Sequence, residues 1–393
     1  MPNFSGKWNL DGQLRGIKQG TWTGILVPAT ELYAWGRGVF GQMGDGYAIN
    51  RSSPIQVGSL TTWSTGAAGL GSVFGILETG ELYAWGDAGS GKLGTNSNQL
   101  VDFSSPVQIG SLTNWSKVST NSDSLAVKTD GTLWALGGLN GVGQLGINAV
   151  GTRSSPIQIG SDTDWSITAS GSSHSLALKT TGELYGWGNN TTGAVGDGSG
   201  VRRSSPVQVG ALTTWAQISA SGNASAAVKT DGTLWAWGQN SNGVLGDGTT
   251  TNRNSPVQIG ALTTWSKVST GNGFMLAVKT DGTLWAWGAG SYGRLGDGTV
   301  VSKSSPIQVG ALTTWDSVAA GSTDAVAIKT DGTIWTWGRD LYGQAGTNGP
   351  TGYAGGSTSS PVQVGSLTNW SEVFMKDQTV LTVVDASTRT GMS

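Results

Sequence analysis

SAAVKTDGTLWAWG at residues 225–238, QNSNGVLGDGTTTNRN at 239–254 and SPVQIGALTTWSKVST at 255–270 together form one unit of a repeat that fills the chain. Working outward in both directions, its Trp-Gly pair recurs at Trp35, Trp85, Trp187, Trp237, Trp287 and Trp337, with Leu136 standing in the third copy. A Ser-Pro pair follows each time, with prolines at 54, 106, 156, 206, 256, 306 and 361. A second tryptophan closes each unit, at Trp63, Trp115, Trp165, Trp215, Trp265, Trp315 and Trp370. Each landmark appears in the same order at a spacing of about fifty residues, the period of a propeller blade.

Within TLWAWG, Leu234 and Ala236 alternate with Trp235 and Trp237, which is strand periodicity. Thr-Asp-Gly and Gly-Asp-Gly punctuate the runs, glycine supplying the positive φ of tight turns. SAAVKT, TLWAWG, PVQIG and WSKVS are the four candidate strands of a unit, and helical periodicity is absent. The expected fold is therefore all-β: a seven-bladed β-propeller of four-stranded antiparallel blades, the radial solution to exposed sheet edges. Tryptophans repeated in every blade read as packing between blades rather than as sugar-binding platforms.

Composition agrees. The 65 glycines and 19 tryptophans among 393 residues describe many tight turns around a core, not a disordered polymer. A net charge of −2 with no basic cluster argues against nucleic acid as a partner. No apolar run reaches the roughly 20 residues of a membrane span. The N-terminal segment has neither the basic start nor the apolar stretch of a secretory signal. With no cysteine, disulfides and thiolate metal sites are excluded.

The last unit stops one strand after Trp370, and the first opens on ELYAWG at 31–36 without a preceding WSKVS strand. The two ends should complete one composite blade. TWTGILV at 21–27 and VLTVVD at 380–385 both resemble the same strand of the unit, and the sequence leaves open which one fills it. The expected division is an attachment arm at 1–20, the propeller at 21–386 and a tail at 387–393.

The unit resembles the repeat of the regulator of chromosome condensation family. The resemblance is carried by GQMGDG at 41–46, GVLGDG at 243–248, GRLGDG at 293–298, the S-P-x-Q-[VI]-G strand and the K-T-D-G-x-[LI]-[WY]-x-W-G hairpin, over about residues 22–385. It implies a seven-bladed propeller. Some members of that family are nucleotide-exchange factors acting through a β-insertion from one blade, and others are inhibitors or interaction domains. Here the Trp-Gly pairs stay 50 or 51 residues apart, which leaves no room for such an insertion. A second resemblance concerns FSGKWNLDGQLRGIKQGTW, which looks like the opening of phage virion proteins, cyanophage ones in particular. Trp8, Leu10, Gln13 and Trp22 carry it.

Catalytic chemistry finds no support. Two G-x-G-x-x-G matches, Gly36, Gly38, Gly41 and Gly141, Gly143, Gly146, precede no helical pattern, so no nucleotide cofactor is expected. His174 is the sole histidine, which excludes a histidine-cluster metal site, and no catalytic partner for it is marked. The informative signal is variation between copies. Eight places before each hairpin glycine stands Ser72, Asp123, His174, Ala224, Phe274 or Asp324, while Lys229 and Lys279 nearby hardly change. Such freedom suggests a ring of exposed residues on one face of the disc, with Phe274 as anchor, Asp123 and Asp324 as hydrogen-bonding groups and His174 titrating near pH 6–7. A competing surface lies in the variable loops 37–53, 87–105, 138–154 and 339–360, with Phe40, Tyr47, Phe103, Tyr292, Tyr342 and Tyr353.

The expectation is thus a non-enzymatic binding protein without cofactor or metal. The first reading is a phage virion protein, a tail-associated adhesin or a capsid decoration. Its arm would bind other virion proteins and a propeller face would bind the host surface. The alternative is a cellular protein–protein interaction propeller in the cytoplasm, a regulator or an inhibitor.

Overall fold

The computed structural model describes residues 30–96, 101–349 and 356–385. Expectations placed on Trp8, Leu10, Gln13, Trp22, Tyr353, the arm and the tail lie outside these residues. The described chain forms seven four-stranded antiparallel sheets. Six blades are continuous in sequence: blade 1 (63–108), blade 2 (115–158), blade 3 (165–208), blade 4 (215–258), blade 5 (265–308) and blade 6 (315–363). In blade 4 the strands are Trp215–Ser221, Ala224–Lys229, Leu234–Gly238 and Arg253–Gln258, in that order from the centre outward.

The seventh blade is composite. Its strands run Trp370–Lys376, Thr379–Asp385, Thr30–Gly36 and Arg51–Gln56 from the inside out. Thr30 pairs with Asp385 and the register holds without a slip to Gly36 and Thr379. Residues 379–385 therefore occupy the second-strand position that sequence left open, while 21–27 lie outside the described residues. The two chain ends meet through a full antiparallel ladder, which removes two free edges.

The Trp-Gly tryptophans are the bolts between blades. Trp237 has no exposed surface, and its Nε1 donates across to the Ala194 carbonyl of the preceding blade's loop at 3.0 Å. Trp35, Trp85, Trp187, Trp287 and Trp337 repeat this bond at 2.8–3.0 Å. Each buried core draws on two neighbouring blades; one joins Val228 and Leu234 of blade 4 to Trp265 and Trp287 of blade 5. Burying such an aromatic removes about 150–250 Å² from water, roughly 4–6 kcal/mol as an upper bound.

On the K-T-D-G face the lysine is held by the aromatic residues. Trp215 and Trp235 meet edge to face at 5.9 Å, and Lys229 Nζ sits 3.9 Å from the Trp235 ring centre. The same stack recurs with Lys128, Lys279 and Lys329. This cation–π contact accounts for the constancy of that lysine between units.

The innermost strands line a central channel of about 590 Å³. Each is an edge strand facing it, and side chains of the preceding blade cover part of that edge. The Gln217 amide both accepts from Val268 N and donates to Val268 O, and Ser219 Oγ accepts from Thr270 N. No helix of the described residues is long and apolar enough to cross a membrane.

Candidate interaction face

One face of the disc gathers the hairpins between first and second strands together with the G-x-x-G loops. The ladder shows why: Ala224, opening a second strand, pairs with Gly238, where the third strand ends and the loop begins. All six variable positions lie at this level. None is exposed: Ser72, Asp123, His174 and Phe274 have no accessible surface, and Asp324 and Ala224 are buried. The expected exposed ring is corrected accordingly. Its side chains enter the seams between blades rather than solvent.

The variation at these positions is paired. Ser72 Oγ meets Thr120 Oγ1 of the next blade at 3.0 Å. Ser175 Oγ of blade 3 donates to Asp123 Oδ2 of blade 2 at 3.1 Å. His174 Nε2 lies 2.8 Å from Ser225 Oγ of blade 4. Phe274 instead shares a core with Ala320 and Ala325 of blade 6. Four of the six copies are thus matched to a neighbouring blade. Among the described residues Asp324 accepts only from Thr323 N of its own blade and Ala224 brings only a methyl, so no residue type is fixed around the ring.

Burial also removes the charges that a binding ring would use. It raises Asp123 to about 8, against the opposing pull of the Ser175 bond. It raises Asp324 well above its ordinary value, although Thr323 N–H donates to Oδ1. Burial first, and the Lys376 charge second, lower His174 to about 4. Each shift favours the uncharged form, and the expected His174 titration near pH 6–7 is corrected downward. Asp123 Oδ1, His174 Nδ1 and Asp324 Oδ2 have no hydrogen-bond partner among the described residues.

The competing loop residues do reach the surface. Tyr47 is 62% and Tyr292 43% exposed. Phe40, Phe103 and Tyr342 are half-buried. Around the loops of blade 5, blade 6 and the closing blade they join residues that the sequence reading passed over. The Arg37 guanidinium lies 5.3 Å from the Phe40 ring and 5.6 Å from Tyr342, and it bonds Asp377 at 3.1 Å. Arg339 lies 4.7 Å from the Tyr292 ring. Arg37 and Arg339 both follow a Trp-Gly pair, a position that also varies between units and could have marked them.

Arg294 is a further unexpected residue. It occupies the second position of G-x-x-G, where the other copies have Gln42, Lys92, Gln144, Ala194, Val244 and Gln344. It is 7% exposed, yet its guanidinium spans two hairpins, donating to Asn272 O at 3.1 Å and Ser322 O at 3.0 Å.

Lys376 is the last residue missed. It takes the hairpin place held by Gly271 and Gly321, and from the closing blade its amine reaches across the channel. There it donates to Ala220 O of blade 4 at 2.8 Å and Thr270 O of blade 5 at 3.0 Å. Enclosure lowers this amine to about 7. Both G-x-G-x-x-G matches lie in loops that no α-helix follows.

Comparison with known proteins agrees with this architecture. The family model of the regulator of chromosome condensation (RCC1) repeat matches residues 31–74, 79–124, 181–228, 231–278 and 281–328. A second model of that repeat matches four segments between 166 and 344. The human E3 ubiquitin-protein ligase HERC2 is 32% identical over 78 residues, which is 19% of this chain and 2% of that much longer protein. Among solved structures, human WBSCR16 superposes with a TM-score of 0.81 at 19% identity, covering 90% of this chain and 99% of that one. Prp20p of Saccharomyces cerevisiae, described with its binding to Gsp1p and histones, gives 0.78 at 19% identity over 91% and 92%. At such identities the structures speak for the fold alone, whereas the family models cover more than half of the sequence. The chain belongs to the regulator of chromosome condensation repeat family.

Proposed function

We propose that this chain is a non-enzymatic protein–protein interaction propeller whose working surface is the hairpin-side loops of blade 5, blade 6 and the closing blade. The observation that carries this reading is the arginine–aromatic cluster of Arg37, Phe40, Tyr292, Arg339 and Tyr342. Tyrosine and arginine dominate the residues that anchor protein interfaces, because they offer large contact area with polar tips and few freedoms to lose. Protein partners are also named for yeast Prp20p, with Gsp1p and histones in one structure and Kap60 in another. The buried seam residues are a scaffold for this surface and not part of it.

The narrower virion reading rests on Trp8, Leu10, Gln13 and the rest of residues 1–20, outside the described residues, and the relatives above lend it no support. The deciding experiment is affinity capture with the native chain and with a Tyr292→Ala, Tyr342→Ala double variant of unchanged melting temperature. The expected result is a partner retained by the native chain and lost by the variant. Equal retention by both would place the interface elsewhere.

A further inference from the structure

On the hairpin face, the cleft between blades 4 and 5 holds a cavity of about 230 Å³. That is smaller than the roughly 300–1,000 Å³ of sites for drug-sized molecules, and suits a single small ring. Hydrogen-bonding side chains line it. Asn223 Nδ2 donates to Gln239 Oε1 at 3.1 Å, and Gln239 Nε2 donates to Ser241 Oγ at 3.0 Å. This relay fixes both amides and leaves the Asn223 side-chain carbonyl oxygen and the Ser241 hydroxyl proton without a hydrogen bond among the described residues. Asn242 and Asn272, exposed at the rim, spend no side-chain hydrogen bond on the described residues.

Arg294 closes the cavity from the blade 5 side. A guanidinium has five N–H donors. Four are used: Nε on Ser291 O, Nη1 on Asn272 O and Ser322 O, and one Nη2 proton on Ser291 Oγ at 2.6 Å. All four acceptors are neutral, and no carboxylate of the described residues lies within ion-pair distance of this cation. The Phe274 and Tyr292 rings lie 5.6 and 6.0 Å from the guanidinium, but a buried charge whose hydrogen bonds all go to neutral groups remains costly, and an anion beside it recovers that cost. Desolvation lowers the arginine's pKa against the smaller opposing pulls of Asp324 and Tyr292, and burial raises Asp324 itself.

We propose that this cleft binds a small polyhydroxylated carboxylate, the chemistry of a sugar acid, with its carboxylate on Arg294 and its hydroxyls on Asn223, Ser241, Asn242 and Asn272. The carboxylate takes the remaining Nη2 proton in a charge-assisted bond. The amides offer donors and acceptors side by side, which matches hydroxyl groups that both give and accept. Only this cleft has an arginine at the G-x-x-G position, so the site occurs once in the ring. The inference goes beyond the protein-interaction reading: the Tyr292 ring lies 6.0 Å from the Arg294 guanidinium but gives the ligand no group, and the variants below leave that tyrosine in place, so either reading can fail alone.

The test is calorimetric titration of the full chain with glucuronate, methyl glucoside and acetate in parallel. Glucuronate is expected to saturate one site, with methyl glucoside and acetate each weaker by at least about tenfold, since each lacks half of the recognition. Asn242→Asp places a like charge at the rim, and aspartate tolerates the positive φ of 62° there. This variant should weaken glucuronate by about tenfold while melting unchanged, and Asn272→Ala should weaken it several-fold. Acetate binding as tightly as glucuronate would reduce the site to a bare anion hole. Methyl glucoside binding as tightly would remove the role of Arg294. Absence of saturation, or no effect of Asn242→Asp, overturns the proposal.

Discussion

Blade 4 and blade 2 are built from the same unit, and only one of them is regular. In blade 4, Trp237 pairs with Ser225 across the ladder and bolts to Ala194. Blade 2 carries an extra residue: Ser124 pairs with Gly137 and Leu125 with Ala135, so Leu136 bulges out of register. Gly137, not Leu136, thus stands where the tryptophan stands elsewhere, and a Cβ there would lie 2.1 Å from Gly91 O. Leu136 still buries fully, filling the seam without an indole's hydrogen bond.

The outer strands diverge with it. That of blade 4 runs Arg253–Gln258, pinned where Arg253 Nε donates to Asp247 at 2.8 Å. Asp247 also accepts from the Thr249 amide and hydroxyl and from Asn240. Blade 2 has Ile147 in that place, and its outer strand shrinks to Ile157–Gln158. The three inner strands survive the irregularity and the fourth shortens, and the missing aspartate is not sufficient for that, since blades 1 and 6 carry Thr95 and Thr347 in its place and keep the outer strands Phe103–Gln108 and Thr358–Gln363.

Substitutions can press on this contrast. Trp237→Ala should cost about 3–5 kcal/mol in denaturant unfolding and Leu136→Ala about 2–3 kcal/mol, the difference reflecting the larger contact and the bond to Ala194. Equal losses would mean that the bulged blade holds its seam as firmly as the regular one.

Asp123 gives blade 2 a pH dependence that blade 4, with Ala224, lacks. Its folded value of about 8 lies above that of the unfolded chain. Between about pH 4 and 8 the unfolded carboxyl is ionised while the folded one keeps its proton, so this group's contribution to stability is complete below about pH 4 and lost as pH rises to 8. Asp123→Asn cannot ionise, so its melting temperature should gain on the native chain steadily from pH 5 to pH 8. A constant difference across that range would show that Asp123 is charged in its seam.

Smaller effects follow from single bonds. Trp237→Phe keeps the ring and removes one of the two hydrogen bonds to the Ala194 carbonyl, the one from Ser225 Oγ at 2.8 Å remaining, at a cost of about 0.5–1.5 kcal/mol. Asp247→Ala should change global stability by no more than about 1 kcal/mol. Its signature is local, a faster amide exchange at 253–258 in an outer strand that keeps its length, as those of blades 1 and 6 do without the aspartate. Unchanged exchange there would show that the aspartate does not pin that strand.

The seven-bladed ring and its composite closure were legible because their signals are local and repeated: a glycine turn, a tryptophan, a Ser-Pro strand start. The meaning of the variable ring was not. An exposed position and a position matched to one neighbour both vary between copies, and the partners of Asp123 and His174 lie 52 and 51 residues further along the chain. Tyr292 could be read as a surface residue, since its loop varies and nothing follows it in register. Arg294 and Lys376 were hidden in positions where most copies carry a residue of no special chemistry.

Lys376 has a consequence for assembly. Seams matched pair by pair fix which unit follows which, but no single seam sets the diameter of the circle they close. The amine of Lys376 meets the carbonyls of Ala220 and Thr270 from the other side of the channel. In a wider circle the far wall would recede beyond its reach, and in a narrower one the side chain would have no room to lie across. The lysine therefore acts as a gauge of diameter, rewarding the ring that has the right number of units. It also marks one blade as the last, giving a direction of count to a sequence that otherwise repeats itself.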